Sequence, residues 1–144
     1  MVKLSKLGAR RLLKLAEHLE KGKLGHKQFD YSTYHIGPRD KNHCGTAGCA
    51  IGECPVVFPR QWKFIQARYS DVPILRAIDS DSTEDSGAVF FGLTYKEYEY
   101  LFIPGTEENP LSENAKRKTV AKHIRNFVTR RLAGKPVIKE HFYG

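Results

Sequence analysis

The sequence predicts a mostly α-helical protein, a single compact domain with at most a small β element. Three observations carry that expectation. The chain of 144 residues has the length of one domain and can bury a real core. Its 40% hydrophobic and 28% charged residues are a globular composition. Its two longest periodic stretches, residues 5–21 and 112–133, place apolar side chains at helical spacing.

The first element is a basic helix over 5–21. Leu4, Leu12, Leu15, Ala16 and Leu19 fall on one side, and Gly22 stops it. Lys3, Arg10, Lys14 and Lys21 line the opposite side as a basic stripe. Residues 22–43 read as a loop, with Gly25, Gly37 and Pro38 as breakers and Asp30, Ser32 and Thr33 as turn formers beside Phe29, Tyr31 and Tyr34.

Next comes HCGTAGCAIGEC, residues 43–54, which holds all three cysteines of the chain at intervals of five. The small residues Gly45, Ala47, Gly48, Ala50 and Gly52 allow close backbone approach, and the stretch is expected to be a buried helix over 44–54. Its glycines cost such a helix about 1 kcal/mol each. In a helix, residues five apart lie about 7.5 Å apart along the axis and point about 140° apart. A disulfide needs Cα atoms within about 7 Å, so neighbouring cysteines are not expected to bridge. The same divergence keeps Cys44, Cys49 and Cys54 from one zinc ion, and no CxxC pair is present. A loop site of His35, His43 and Cys44 is the remaining metal alternative, and no metal is expected. Glu53 with Cys54 stands where apolar residues would be expected.

Cys44 would then open the helix, where unpaired amides and the helix dipole favour a thiolate. That makes Cys44, with the adjacent His43, the candidate catalytic pair. A cysteine nucleophile also needs a base oriented by a third group. His123 and His141 are remote candidates for the base, with Asp30 or Asp40 to orient it. Cys49 and Cys54 are expected to be small buried apolar residues, and packing or capping is the favoured role of Cys44 itself.

Residues 55–82 read as irregular. Pro55, Pro59 and Pro73 punctuate Val56-Val57-Phe58, a candidate short strand, and the expected core residues Trp62, Phe64, Ile65 and Tyr69. Two short helices follow within 83–102. The first ends at Gly92, and the second opens with a capping box of Thr94 and Glu97. Their arrangement resembles a helix-turn-helix, but the second helix reads YKEYEYLF, and its acidic charge has the wrong sign for a DNA groove. The pair is therefore expected to serve packing. The last element is a basic helix over 112–133, with Ser112 as N-cap and Gly134 and Pro136 beyond its end. Val120, Ala121, Ile124, Phe127, Val128 and Leu132 form its apolar side, and Lys118, Lys122 and Arg125 share the other. A second candidate β element is the pair Val137-Ile138.

The pattern FDYSTY, then HCGTAGCAIG, then FFGLTYKEYEYLF and a terminal helix resembles a group of small bacterial and phage proteins. They share an F-D element, a C-G-T-x-x-C-x-x-G segment and a later G-L-[ST]…L-F segment. The resemblance spans most of the chain and implies a bacterial or phage origin, and it brings no activity with it. More remotely, Cys44-Gly45 entering a small-residue stretch is similar to the nucleophile helix of papain-like and bacteriocin-processing cysteine peptidases. Those peptidases carry their His and Asp or Asn on later strands, whereas the downstream half here reads mostly as helices.

Charge frames the function. The net charge is +8, distributed as +6 over residues 1–27, +1 over 28–75, −6 over 76–110 and +7 over 111–144. Two basic ends flank an acidic middle. The N-terminal residues contain neither a signal-peptide pattern nor an uncharged run that could span a membrane. An odd number of cysteines fits a reducing compartment, so the cytoplasm is expected. Neither a phosphate-binding loop nor a dinucleotide fingerprint occurs, and no cofactor is expected. The leading expectation is a non-enzymatic module that binds an anionic partner through Lys3, Arg10, Lys14, Lys21, Lys118, Lys122 and Arg125. That partner is a nucleic acid, a nucleotide or an acidic surface on a host protein, and not a membrane. The alternative is a thiol-dependent enzyme with Cys44 as nucleophile.

Overall fold

A computed structural model describes residues 4–34, 45–66 and 71–138. Five helices and two small two-stranded sheets build it. Helix α1 spans Lys6–Lys21, and the Ser5 side chain caps it by accepting the Gly8 N–H. It ends at Gly22, whose φ of 73° lies in the left-handed region that favours glycine. Helix α5 spans Arg117–Leu132 and packs along α1 in the opposite direction. Arg117 at its start donates to the Leu19 and Glu20 carbonyls at 2.7 and 2.9 Å, closing the end of α1. Leu132 at its end faces Ala9 and Leu13 near the start of α1. The apolar stripes predicted for both helices meet in this seam, where Leu12, Leu15, Leu19, Val120, Ile124 and Phe127 are buried.

Helices α3 (Thr83–Phe91) and α4 (Tyr95–Phe102) form the expected short pair. Ser82 caps the first, Gly92 ends it, and the Thr94–Glu97 capping box opens the second as predicted. The inner face of α4 is Tyr98, Leu101 and Phe102, all buried, so this helix serves the core. Phe90 and Phe91 join Phe58 and Trp62 edge to face, and Phe102 lies tilted against Phe91, in an aromatic cluster between α3, α4 and the middle of the chain.

The middle of the chain departs from expectation. Residues 45–54 do not form the single helix expected for 44–54, and Cys44 lies outside the described residues. Gly45–Gly48 is strand β2, paired in parallel with β1 (His26–Phe29), which lies inside the stretch expected to be loop. The chain then tightens into a 3-10 turn, Ile51–Glu53, that runs on into the short helix α2, Cys54–Val57. Glycine explains much of this. It weakens a helix, and Gly52 packs so tightly that a Cβ there would lie 1.8 Å from the Tyr34 carbonyl oxygen. Pro55 opens α2 instead of closing a helix, since proline is tolerated in a first turn. Val56 and Val57 of the candidate strand Val56-Val57-Phe58 are therefore helical, and Phe58 caps the end of α2.

The β element of residues 55–82 is a hairpin of β3 (Trp62–Gln66) and β4 (Asp71–Leu75), with Phe64 opposite Pro73. Trp62 and Phe64 alternate inward along β3. Val137 and Ile138 lie in a bend and not in a strand. Helix α5 also starts later than predicted. Ser112 is not its N-cap; the Ser112 carbonyl accepts from Ala115 N–H in a separate turn, and Lys116 occupies the cap position.

Candidate anion-binding surface

Of the seven predicted binding residues, Lys3 lies outside the described residues. The other six are divided by their partners. Arg125 donates from Nε and Nη2 to the two Glu20 oxygens at 2.7 and 2.6 Å, a bidentate pair that joins α5 to α1. Lys21 pairs with Glu17 one turn back at 2.7 Å. These two cations are spent within the fold. Lys14 is exposed and lies over the Phe58 ring, 5.3 Å from its centre. Arg10, Lys118 and Lys122 are exposed. Among the described residues, no carboxylate pairs with Arg10, Lys14, Lys118 or Lys122.

Helix α5 carries six Lys and Arg residues and no Asp or Glu. Four of the six are engaged: Arg117 and Arg130 with backbone carbonyls, Arg125 with Glu20, and Arg131 with Glu97. The acidic segment supplies only part of that compensation. Its Glu99 and Glu108 carboxylates pair with Lys96, at 3.7 and 3.3 Å.

The candidate catalytic pair, His43 and Cys44, lies outside the described residues, as do His35, Asp40 and His141. The other proposed partners have different work. The Asp30 carboxylate accepts from the Ser32 amide and hydroxyl and from the Thr33 hydroxyl, so it builds a turn, and among the described residues it pairs with no histidine. His123 is buried, its Nε2 donating to the Tyr100 carbonyl at 2.7 Å, and burial lowers its pKa. Cys49 and Cys54 are free and buried, as predicted. Burial pushes the Cys49 thiol up to about 12 and raises Cys54 well above the usual thiol range.

A cluster that sequence reasoning missed lies at Glu53. Its carboxylate is fully buried, yet it is held by three donors from two other segments. His18 Nε2 donates to Oε1 at 2.7 Å, Gly25 N–H donates to the same oxygen at 2.6 Å, and His26 Nδ1 donates to Oε2. Burial alone would raise this carboxyl, but the hydrogen bonds from His18, His26 and Gly25 outweigh it and hold the pKa at about 2. The charged residue standing where apolar ones were expected was its one sequence signal. Among the described residues, no group of three or more His, Cys, Asp or Glu side chains is arranged to hold a metal ion. No described helix is long and apolar enough to cross a membrane.

Comparison of the chain with protein-family models, with curated proteins and with solved structures finds no match in any of the three.

Proposed function

We propose that this chain is a non-enzymatic binding module that engages an anionic partner, a nucleic acid first, through the outer faces of α1 and α5. One observation carries the reading. After the ion pairs of the two helices are made, Arg10, Lys14, Lys118 and Lys122 remain exposed, with no carboxylate beside them among the described residues. Two packed helices keep these cations on a rigid support, and the multiple positive charges favour a phosphate backbone. The helix-turn-helix pair offers no basic reading helix, so contacts to phosphates, without base readout, are the expected mode.

The test is the salt dependence of binding to duplex DNA and RNA. Each neutralised phosphate contributes about −0.9 or somewhat less to the log–log slope, so four contacts give about −3 to −4. Lys14→Gln with Lys122→Gln flattens that slope without unfolding the protein, because surface charge changes cost under about 0.5 kcal/mol. Binding that ignores salt, or survives both substitutions unchanged, overturns the reading.

A second reading, thiol chemistry at Cys44, is supported by a different observation. His26, oriented by the buried Glu53 carboxylate, pairs in register with Gly45, the residue that follows Cys44 in the chain. An oriented histidine is what a nucleophilic cysteine needs. Rapid alkylation of Cys44 that slows in His26→Gln, with the fold retained, is the expected sign. Alkylation at the rate of an ordinary exposed thiol removes this reading.

A further inference from the structure

On the side of α1 where Arg11 meets α3, a cavity of about 270 Å³ is lined by three arginines from separate parts of the chain. Arg11 comes from α1, Arg60 from the turn between α2 and β3, and Arg76 from the residue after β4. Leu75, Val89 and Phe90 supply an apolar floor, and Val89 is 65% exposed. Among the described residues, no carboxylate pairs with any of the three guanidinium groups.

Two of the three are held in place without a negative charge. The Arg11 guanidinium lies 3.9 Å from the centre of the Phe90 ring, and its Nη1 donates to the Phe90 carbonyl at 2.8 Å. Arg76 donates from Nε to the Pro59 and Trp62 carbonyls at 3.3 and 3.2 Å, which leaves its terminal N–H groups unspent. A guanidinium fixed by backbone carbonyls is preorganised to donate in a fork, so little side-chain entropy is lost when an oxyanion arrives. Burial and, to a smaller degree, the neighbouring Arg10 lower the Arg11 pKa.

We propose that this cavity binds a nucleoside 5′-monophosphate, with the phosphate among Arg11, Arg60 and Arg76 and the flat base over Val89 and its neighbours. Three positive charges suit a phosphomonoester, which carries close to two negative charges at neutral pH, better than a single carboxylate. The volume falls just below the usual range for ligand pockets, roughly 300–1,000 Å³, and suits one small molecule rather than a polymer. Exposed apolar surface beside a guanidinium plane suits a heterocycle, which stacks on both. The pocket shares no residue with the four cations of the proposed helix surface, so the two sites stand or fall separately.

The experiment is calorimetric titration of the full chain with the four nucleoside 5′-monophosphates, with the matching nucleosides and with inorganic phosphate. At least one nucleotide is expected to bind tenfold or more tightly than both its nucleoside and inorganic phosphate. Arg60→Gln is expected to weaken that binding about tenfold, the loss of one charge-assisted hydrogen bond. Among the described residues the exposed Arg60 side chain makes no hydrogen bond, so this variant is expected to stay folded, whereas Arg76→Gln also uncaps two carbonyls and serves as the second variant. Lys118→Gln with Lys122→Gln leaves nucleotide binding unchanged. Nucleotides that bind no better than phosphate, or an affinity untouched by Arg60→Gln, overturn the proposal. Salt-dependent binding of duplex without nucleotide binding supports the helix surface and overturns the pocket. Nucleotide binding without duplex binding does the reverse.

Discussion

Arg131 donates from Nε to Glu97 Oε2 at 2.5 Å, with both side chains buried, and so fastens the end of α5 to the start of α4. Glu97 is already occupied on its other oxygen, where Oε1 accepts the Thr94 N–H in the capping box. One carboxylate thus satisfies a helix terminus and a buried cation. Glu97→Ala removes both contacts and takes the Glu97 carboxylate away from the buried Arg131 charge. A loss of about 3–5 kcal/mol is expected, measured by urea unfolding followed through the single tryptophan, Trp62. Thr94→Ala removes only the cap and should cost about 1 kcal/mol. Equal losses from the two substitutions would show that the ion pair contributes nothing beyond the cap.

Glu53 makes stability depend on acid. Its folded-state pKa of about 2 lies below the ordinary 4.5, so the folded protein binds this proton less readily than the unfolded chain. The contribution is therefore fully present above about pH 4.5 and is lost as pH falls toward 2. The shift corresponds to roughly 3 kcal/mol. Chemical denaturation across that window should show wild-type stability falling more steeply than that of Glu53→Gln. Parallel curves for the two proteins would mean that the carboxylate is not held as charged in the fold.

What the sequence made legible was local. Helix α1, the Gly22 and Gly92 stops and the Thr94–Glu97 box each depend on residues within a turn or two of one another. What it hid depends on distant partners. Strands β1 and β2 pair His26 with Gly45, and a strand reading GTAG has too little side-chain pattern to announce itself. Strand β4 contains Pro73, which reads as a breaker, although a two-stranded hairpin has edges that tolerate proline. The basic stripes were visible, but their division into spent and free cations was not. Glu20 takes Arg125 from 105 residues away, and only the packing of α1 on α5 brings them together. The three-arginine cavity was invisible for the same reason.

The buried thiols give a direct check on the corrected middle of the chain. Cys49 and Cys54 flank the 3-10 turn, both buried, and burial raises both pKa values. The thiolate is the reacting form, so both residues should resist alkylation at neutral pH until the protein unfolds. Mass spectrometry after a timed pulse of iodoacetamide should find Cys49 and Cys54 unlabelled in the native protein and modified after denaturation. Label on Cys49 or Cys54 in the native protein would contradict the packing of this segment.

Gly8 offers a test in which two effects oppose each other. It lies in the first turn of α1, and in an isolated helix replacing glycine by alanine gains up to about 1 kcal/mol. Here a Cβ would fall 2.2 Å from the Phe91 carbonyl oxygen, a backbone atom at the end of α3 that cannot swing aside. Helices α1 and α3 would have to separate, and overpacking of this kind costs about 1–3 kcal/mol. The clash concerns backbone and so should win, making Gly8→Ala destabilising despite its better helix propensity. Ser5→Ala provides the control, because it removes the N-cap bond to Gly8 N–H without adding volume. If Gly8→Ala instead raises the urea midpoint, α1 and α3 are not in the close contact that places Arg11 over Phe90, and the arginine cavity loses its wall.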